Sequence, residues 1–310
     1  MEVRQLRYFV EVVRQKNFSR AAGILNIAQP PLSRQIQQLE EELGVTLIDR
    51  TTRPLNLTEA GRFFYQNAVQ ILSRLDHIRD QTRKIGGSKR ERFIIGCVAS
   101  TLYSGTPDLV RRMRKKWPDL DIDIKEMMST EQIAALKENR IDLGFGRVRF
   151  NDPEVERLTL REERLVVAIP MEHPKTSSSD PMPLSELEGE PFIVYPSALR
   201  PSFADEILNL LAEFSITPSS IEEVREIQAA LGMVAAGAGL CIVPASSQRQ
   251  RPDDVFYRMI EEKQATSPVI MSYRRADADG RIKEVKQLIQ EMYADKPTWL
   301  QLSELWIERS

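Results

Sequence analysis

The chain is poor in the residues that enzymes, metalloproteins and secreted scaffolds rely on. Its 310 residues hold two cysteines, Cys97 and Cys241, each inside an apolar run. One pair in a chain this long is no disulfide framework, and both read as small buried hydrophobes. There are two histidines, His77 and His173, and no His/Cys cluster has the spacing of metal ligands. No serine stands in a G-x-S-x-G elbow. The segments "GFGRVR" and "GAGLC" do not sit at a first strand–helix turn, so they are no dinucleotide fingerprint. Long apolar runs are also missing. The longest uncharged stretch, Ile227 to Gln248, is cut by Gly232, Gly237 and Gly239 and closed by Pro244. It reads as helix, turn and strand in a soluble core, not as a membrane span. The opening "MEVRQLRYFV" lacks a secretory apolar segment. The expectation is a cytoplasmic protein that is not an enzyme, with no metal, no cofactor and no membrane partner.

What is present is an asymmetry of charge. The whole chain is close to neutral, at −2. Residues 1–90 carry 15 Lys and Arg against 9 Asp and Glu, a balance of +6, and the remainder carries 28 against 36, a balance of −8. A basic N-terminal part on an acidic remainder is what a protein with one end on nucleic acid shows. The length suits two or three compact units.

In the basic part, Leu6, Phe9, Val10 and Val13 recur at helical spacing, which predicts a first helix over Arg4 to Gln15. Ser19 is placed to cap a short second helix through Ala21, Ala22 and Leu25. A tight turn over Asn26 to Gln29 leads to a third helix with Leu32, Ile36, Leu39 and Leu43 inside and Gly44 ending it. Two short helices joined by a tight turn form a helix-turn-helix. Proline is tolerated in a first helical turn, and the residue before it is pushed to extended backbone. Gln29 and Pro30 are therefore expected to be extended and Pro31 to open the helix. The outer side of that stiff tip carries Gln29, Ser33, Arg34 and Gln37. Glutamine can bond adenine, arginine guanine, and the rings of Pro30 and Pro31 can touch a thymine methyl. The next stretch, "VTLIDRTTRPLNLT", reads as a small hairpin whose Arg50, Arg53 and Pro54 can enter a minor groove. The acid run Glu40–Glu42 reads as a solvated face.

Thr58 is placed to cap a long helix from Glu59. Its seam of Phe64, Ala68, Ile71, Leu75, Ile78, Thr82 and Ile85 alternates steps of four and three, a heptad pattern for pairing with a second copy. "KIGGSKRER" then reads as a hinge.

From Phe93 on, strand-like runs ("FIIGCVA", "DIDIKEMM", "IDLGFGR", "RLVVAIP", "PFIVYP", "GLCIVP", "PVIMSYR") alternate with helical ones, which argues for α/β units with largely parallel sheets. Ligands then lie at the carboxyl ends of strands. Ser100 and Thr101 in "VASTLY", and Ser129 in "MMSTEQ", stand where a strand gives way to a helix start suited to a carboxylate. Ser129 with Gln132 also fits a capping box that needs no ligand. Arg147 ends "IDLGFGR", where it can clamp a carboxylate or simply pair with an acid such as Glu226. Pro201 and Phe203 stand at another helix start, and Phe203 can supply an apolar wall. A small, flat dicarboxylate suits the set.

"LRYFV", "FSRAAGILNIAQPPLSRQIQQLEEELGVTLIDR" and "LTEAGRFFYQNA" closely resemble the N-terminus of LysR-type transcriptional regulators, over about the first quarter of the chain. "IDLGFGR", "RPSFADE" and "REIQAALGMVAAGAGLCIVPAS" look like the regulators of aromatic-acid catabolism that respond to cis,cis-muconate or benzoate, and extend the similarity over most of it. The resemblance implies a winged helix-turn-helix over 1–58, a linker and dimerisation helix with hinge over 59–90, and an effector-binding domain over 91–310. The last would hold two α/β subdomains, about 91–161 with 267–310 and about 162–266, joined by two crossover strands like a periplasmic binding protein. It further implies dimers through the linker helices, tetramers on double-stranded promoter DNA, and an effector that lets RNA polymerase engage. In those relatives the positions of Ser100, Ser129, Arg147 and Phe203 line the effector site, and Thr101, Pro201 and Val269 fall where they contact it. The rival reading is a small-carboxylate-binding protein, or an enzyme on that scaffold, without promoter function. The N-terminal unit argues against both.

Overall fold

The computed structural model describes residues 1–50, 55–85, 91–197, 200–278 and 280–300. The chain divides into two units, one running to Lys89 and one starting at Arg90.

The first unit begins with α1 (Val3–Gln15), α2 (Phe18–Ile24) and α3 (Gln29–Leu43). Their apolar positions converge on a core of Phe9, Val12, Ala21, Ala22, Leu32, Ile36 and Leu39, completed by Leu47 and Ile48 from the hairpin. The hairpin is β1 (Ile48–Asp49) paired antiparallel with β2 (Asn56–Leu57). Gly44 ends α3 in the left-handed region at φ 69°, its N–H reaching the carbonyls of Glu40 and Glu41. The cap of α2 is Asn17, whose side chain accepts the Arg20 N–H at 2.9 Å, and not Ser19, which is already helical. α3 opens two residues earlier than expected: Ala28 is the extended cap and Gln29 the first helical residue. The preference of a residue before proline for extended backbone yields here, because the first helical N–H groups have no intrahelical partner for the prolines to remove.

α4 (Glu59–Ile85) is capped by Thr58, whose hydroxyl accepts the Gly61 N–H at 2.9 Å. Its first three turns serve the unit's own core. Phe64 meets Phe9 edge-on at 5.2 Å, and Ala68 and Val69 are buried against Leu6 and Val10. Beyond them the helix presents Ile71, Leu75 and Ile78 to solvent, 43, 37 and 50% exposed.

The second unit runs β3 (Arg92–Cys97), α5 (Thr106–Lys116), β4 (Asp121–Glu126), α6 (Ser129–Lys137), β5 (Leu143–Gly146) and β6 (Val155–Pro170). It continues through β7 (Pro191–Val194), α7 (Phe203–Glu213), β8 (Ser220–Glu223), α8 (Ile227–Ala235), β9 (Cys241–Pro244), β10 (Val255–Met259), β11 (Thr266–Arg274) and α9 (Arg281–Ala294). β3 is parallel to β4 and β5, and β7 to β8, as strand–helix–strand alternation requires. The expectation of largely parallel sheets fails elsewhere. β6 and β11 run antiparallel to each other, and every other strand they pair with is antiparallel too.

The reason is that β6 is one 16-residue strand serving two lobes. Its first part pairs with β11, and its second part, Leu165 to Pro170, pairs with β9 and β10. One lobe packs Phe93, Ile95, Leu143, Met271 and Val285, the other Val167, Phe192, Ile207, Leu231 and Ile242. Where β6 passes between them it carries one extra residue, Leu160, against β11. Such a bulge re-aims the side chains beside it, and Arg161 and Glu163 follow at once.

Candidate nucleic-acid interface and effector cleft

In the first unit the outer side of α3 carries Gln29, Pro30, Pro31, Arg34 and Gln37, all exposed, with Ser33 half-buried. Arg34 is the charge on that face, next to two amides and two rigid rings. Arg50 lies elsewhere in character. Its guanidinium pairs with Glu40 at 2.8 Å and stands 5.8 Å over the Phe18 ring. Glu40 in turn accepts the N–H groups of Leu47 and Ile48 at 2.8 and 3.0 Å. That carboxylate ties α3 to the hairpin and is not part of a solvated acidic face. Arg53 and Pro54 lie outside the described residues. Among the seam positions of α4, Phe64 and Ala68 are internal, Ile71, Leu75 and Ile78 form an open apolar stripe, and Thr82 is exposed with its hydroxyl donating to the Ile78 carbonyl at 2.8 Å. The side chain of Ile85 lies outside the described residues.

In the second unit three other elements meet at Arg147. It stands just past β5 and is 2% exposed. Its backbone N–H donates to the Ser129 hydroxyl at 3.1 Å, from the first residue of α6. That approach needs Gly146, because a Cβ there would come within 2.7 Å of the same oxygen. Arg147 Nε donates to Ser100 Oγ at 2.7 Å, Nη2 donates to Glu163 at 2.7 Å, and Nη1 is buried without a partner. Glu163 is wholly buried and also takes Arg161 at 2.9 Å and the Ser246 backbone N–H at 2.7 Å. Burial alone would raise its carboxyl, but the Arg147 and Arg161 charges and the Ser246 N–H outweigh that and hold it down at about 2. Two guanidinium groups therefore share the Glu163 carboxylate.

Phe203 opens α7 behind Ser202, which forms a capping box with Asp205. Tyr195 packs on Phe203 with ring centroids 5.3 Å apart, and burial pushes its unpartnered hydroxyl well up. Pro201 is exposed at the start of the same helix.

The structure thus brings Ser100, Ser129, Arg147 and Phe203 into one unit, and corrects several details. Thr101 is 1% exposed and its hydroxyl donates to the Val98 carbonyl at 2.9 Å, so it shapes the turn after β3. The Ser129–Gln132 capping box does not form. Gln132 donates its amide to the carbonyls of Met127 and Phe145, and Glu131 takes the Met128 N–H. The partner of Arg147 is Glu163 and not Glu226. Val269 lines a cavity with Ser104, Leu160, Arg161 and Tyr293. Arg161 and Glu163 were not singled out in the sequence, because "LREERL" reads as a solvated charge run. The available signal was its place between two apolar runs at strand spacing.

Comparison with known proteins decides the family. Residues 3–62 match the bacterial regulatory helix-turn-helix protein, lysR family, and residues 86–294 match the LysR substrate binding domain. The chain belongs to the LysR family. It is 53% identical over 300 residues to the probable cat1 operon transcriptional activator of Acinetobacter lwoffii, covering 97% of this chain and 99% of that protein. It is 41% identical over 305 residues to the regulator BenM of Acinetobacter baylyi, covering 96% and 100%. Among solved structures, the BenM effector binding domain with its effector benzoate matches at TM-score 0.63 and 36% identity, over 67% of this chain and 95% of that one. Full-length CbnR complexed with its target DNA matches at TM-score 0.70 and 28% identity, over 94% and 99%. This LysR-type protein is a DNA-binding transcriptional regulator and not an enzyme. Among the described residues no helix is long and apolar enough to cross a membrane.

Proposed function

We propose that this regulator activates genes of aromatic-compound catabolism when an aromatic-derived carboxylate, cis,cis-muconate or a close relative, binds at Arg147. The observation that carries the reading is the buried cluster itself: Arg147 and Arg161 share the single carboxylate of Glu163, and Arg147 Nη1 has no partner. A buried guanidinium with an unused donor is costly and is relieved by an anion that accepts from it. Ser100 and Ser129 flank that arginine, Phe203 offers an apolar wall, and Pro201 borders the helix start. The names of the relatives, a cat operon activator and a benzoate-binding regulator, agree with that chemistry.

In this reading residues 1–58 bind promoter DNA through Gln29, Pro30, Pro31, Ser33, Arg34 and Gln37, with the hairpin around Arg53 and Pro54 alongside. Residues 59–90 pair two copies through the Ile71, Leu75 and Ile78 stripe. Residues 91–310 bind effector and join two dimers into a tetramer. Effector binding then changes the arrangement of the dimers so that RNA polymerase engages, which requires the effector to prefer one arrangement over the other. A tenfold shift needs about 1.4 kcal/mol, within reach of one charge-assisted hydrogen bond. A promoter regulator works in the cytoplasm.

The test is calorimetry of the full-length chain with cis,cis-muconate, a chlorinated muconate and benzoate, followed by Arg147→Ala. The variant is expected to lose effector binding and transcriptional response while operator affinity in a mobility-shift assay survives. An unchanged response removes Arg147 from the effector site.

A further inference from the structure

The last described residues pack on the same cluster that holds Arg147. α9 ends at Ala294, and a short turn follows, closed by the Leu300 N–H donating to the Pro297 carbonyl at 2.8 Å. Trp299 and Leu300 are buried in the core that holds Phe93 and Val285. The indole of Trp299 meets Tyr293 edge-on, with ring centroids 5.8 Å apart. The guanidinium of Arg161 stands over the indole, 5.5 Å from its centroid. Gly105 leaves room for the ring, because a Cβ there would come within 2.9 Å of it.

Glu163 Oε2 accepts from Arg147 Nη2 at 2.7 Å and from Arg161 Nη2 at 2.9 Å, while Oε1 accepts the Ser246 N–H at 2.7 Å. One oxygen thus serves two cations, and each loosens its hold on the other. A guanidinium within about 6 Å of an indole centroid is drawn to the negative face of the ring, more strongly where water is excluded. The Arg161 side chain is 10% exposed. On the reading that Arg147 anchors the effector, we propose that Trp299 is a positioning residue for effector recognition: its ring holds Arg161 at Glu163, the carboxylate stays divided between two arginines, and Arg147 keeps its unpartnered Nη1 open to an effector carboxylate.

Without the indole, Arg161 drifts from Glu163, which then pairs more fully with Arg147 and competes with an entering anion for it. Leucine at 299 fills apolar space but has no negative face to offer a cation. Phenylalanine offers one, weaker than that of tryptophan. The two replacements therefore separate packing from positioning.

The experiment is calorimetry of the full-length chain with cis,cis-muconate, on wild type, Trp299→Leu, Trp299→Phe, Arg161→Met and the double variant Trp299→Leu with Arg161→Met. Trp299→Leu should weaken muconate binding about tenfold, and Trp299→Phe about threefold or less. Their urea midpoints should fall alike, since both shrink the same buried side chain. On the Arg161→Met background, Trp299→Leu should cost less than about twofold, because its partner is already gone. Equal losses for leucine and phenylalanine, or a further tenfold loss without Arg161, show that Trp299 only packs and overturn its positioning role. If Trp299→Leu folds poorly, Gly105→Ala disturbs the same contact with the indole in place. Its backbone, at φ −77° and ψ −20°, suits alanine, and the new Cβ displaces the ring. Muconate should then bind about threefold or more weakly. Unchanged affinity there overturns the role of Trp299 and leaves the cleft reading standing. No binding of muconate by wild type overturns both.

Discussion

The two functional regions hold their charges in opposite ways. On α3, Arg34 stands exposed among Gln29, Pro30, Pro31 and Gln37, all close together along the chain. In the second unit Arg147 and Glu163 are buried, and their partners Ser100, Ser129 and Ser246 come from turns and helix starts far apart in sequence. Exposed charges interact weakly with one another and remain free for a polyanion. Buried charges pay heavy desolvation and must be paired, so they hold distant elements together. The same residue type is thus replaceable for stability in one region and indispensable to it in the other.

Removing Glu163 should break that contrast most visibly. Glu163→Ala leaves the buried Arg147 guanidinium without its carboxylate and is expected to cost about 3–5 kcal/mol, read as a lower urea midpoint of the full chain. A loss below 1 kcal/mol would show that water already screens the cluster. The same group has a pH signature. Its folded value of about 2 lies below the unfolded value near 4.3, so its stabilisation is complete above the unfolded value and is lost as pH falls from there through 2. Acid unfolding of the second unit should therefore steepen over that range.

The open stripe of α4 comes next. Leu75→Glu places a charge where Ile71 and Ile78 also face solvent, and should weaken pairing of copies by about 2 kcal/mol or more, roughly thirtyfold, in sedimentation analysis. The melting of a single unit should hardly change, because Leu75 is 37% exposed. Unchanged self-association would assign the stripe another role.

The smallest change in stability is expected at α3. Arg34→Ala should leave folding intact and weaken operator binding by about 1–3 kcal/mol while sparing random DNA. Equal losses on both would reduce Arg34 to a phosphate contact.

The N-terminal unit was the more legible in sequence, and its errors were local. The spacing of Leu32, Ile36 and Leu39 placed the core face of α3, and Thr58 placed the start of α4, because both depend on neighbours within one turn. The cap moved from Ser19 to Asn17 and α3 began at Gln29, since either residue could supply the oxygen and only the packed turn selects one. The seam of α4 was legible as a pattern but not as two surfaces. A heptad repeat shows where apolar groups line up, not that Phe64 and Ala68 meet α1 while Ile71, Leu75 and Ile78 stay open. In the second unit β8, β10 and the first half of β6 escaped notice, because charge-bearing strands such as "VERLTLREE" carry too few apolar positions to stand out.

Sequence alone determined the order of the helices and of the apolar strands, the family, the basic reading head and Arg147 as the cation to watch. Each rests on local spacing, capping or motif, which a few adjacent residues carry. Tertiary structure alone decided that β6 threads both lobes, that Leu160 bulges and that Glu163 joins two arginines. Arg147 and Ser246 reach Glu163 from 16 and 83 positions away, and side chains acquire such partners and their altered proton affinity only when the chain closes around them.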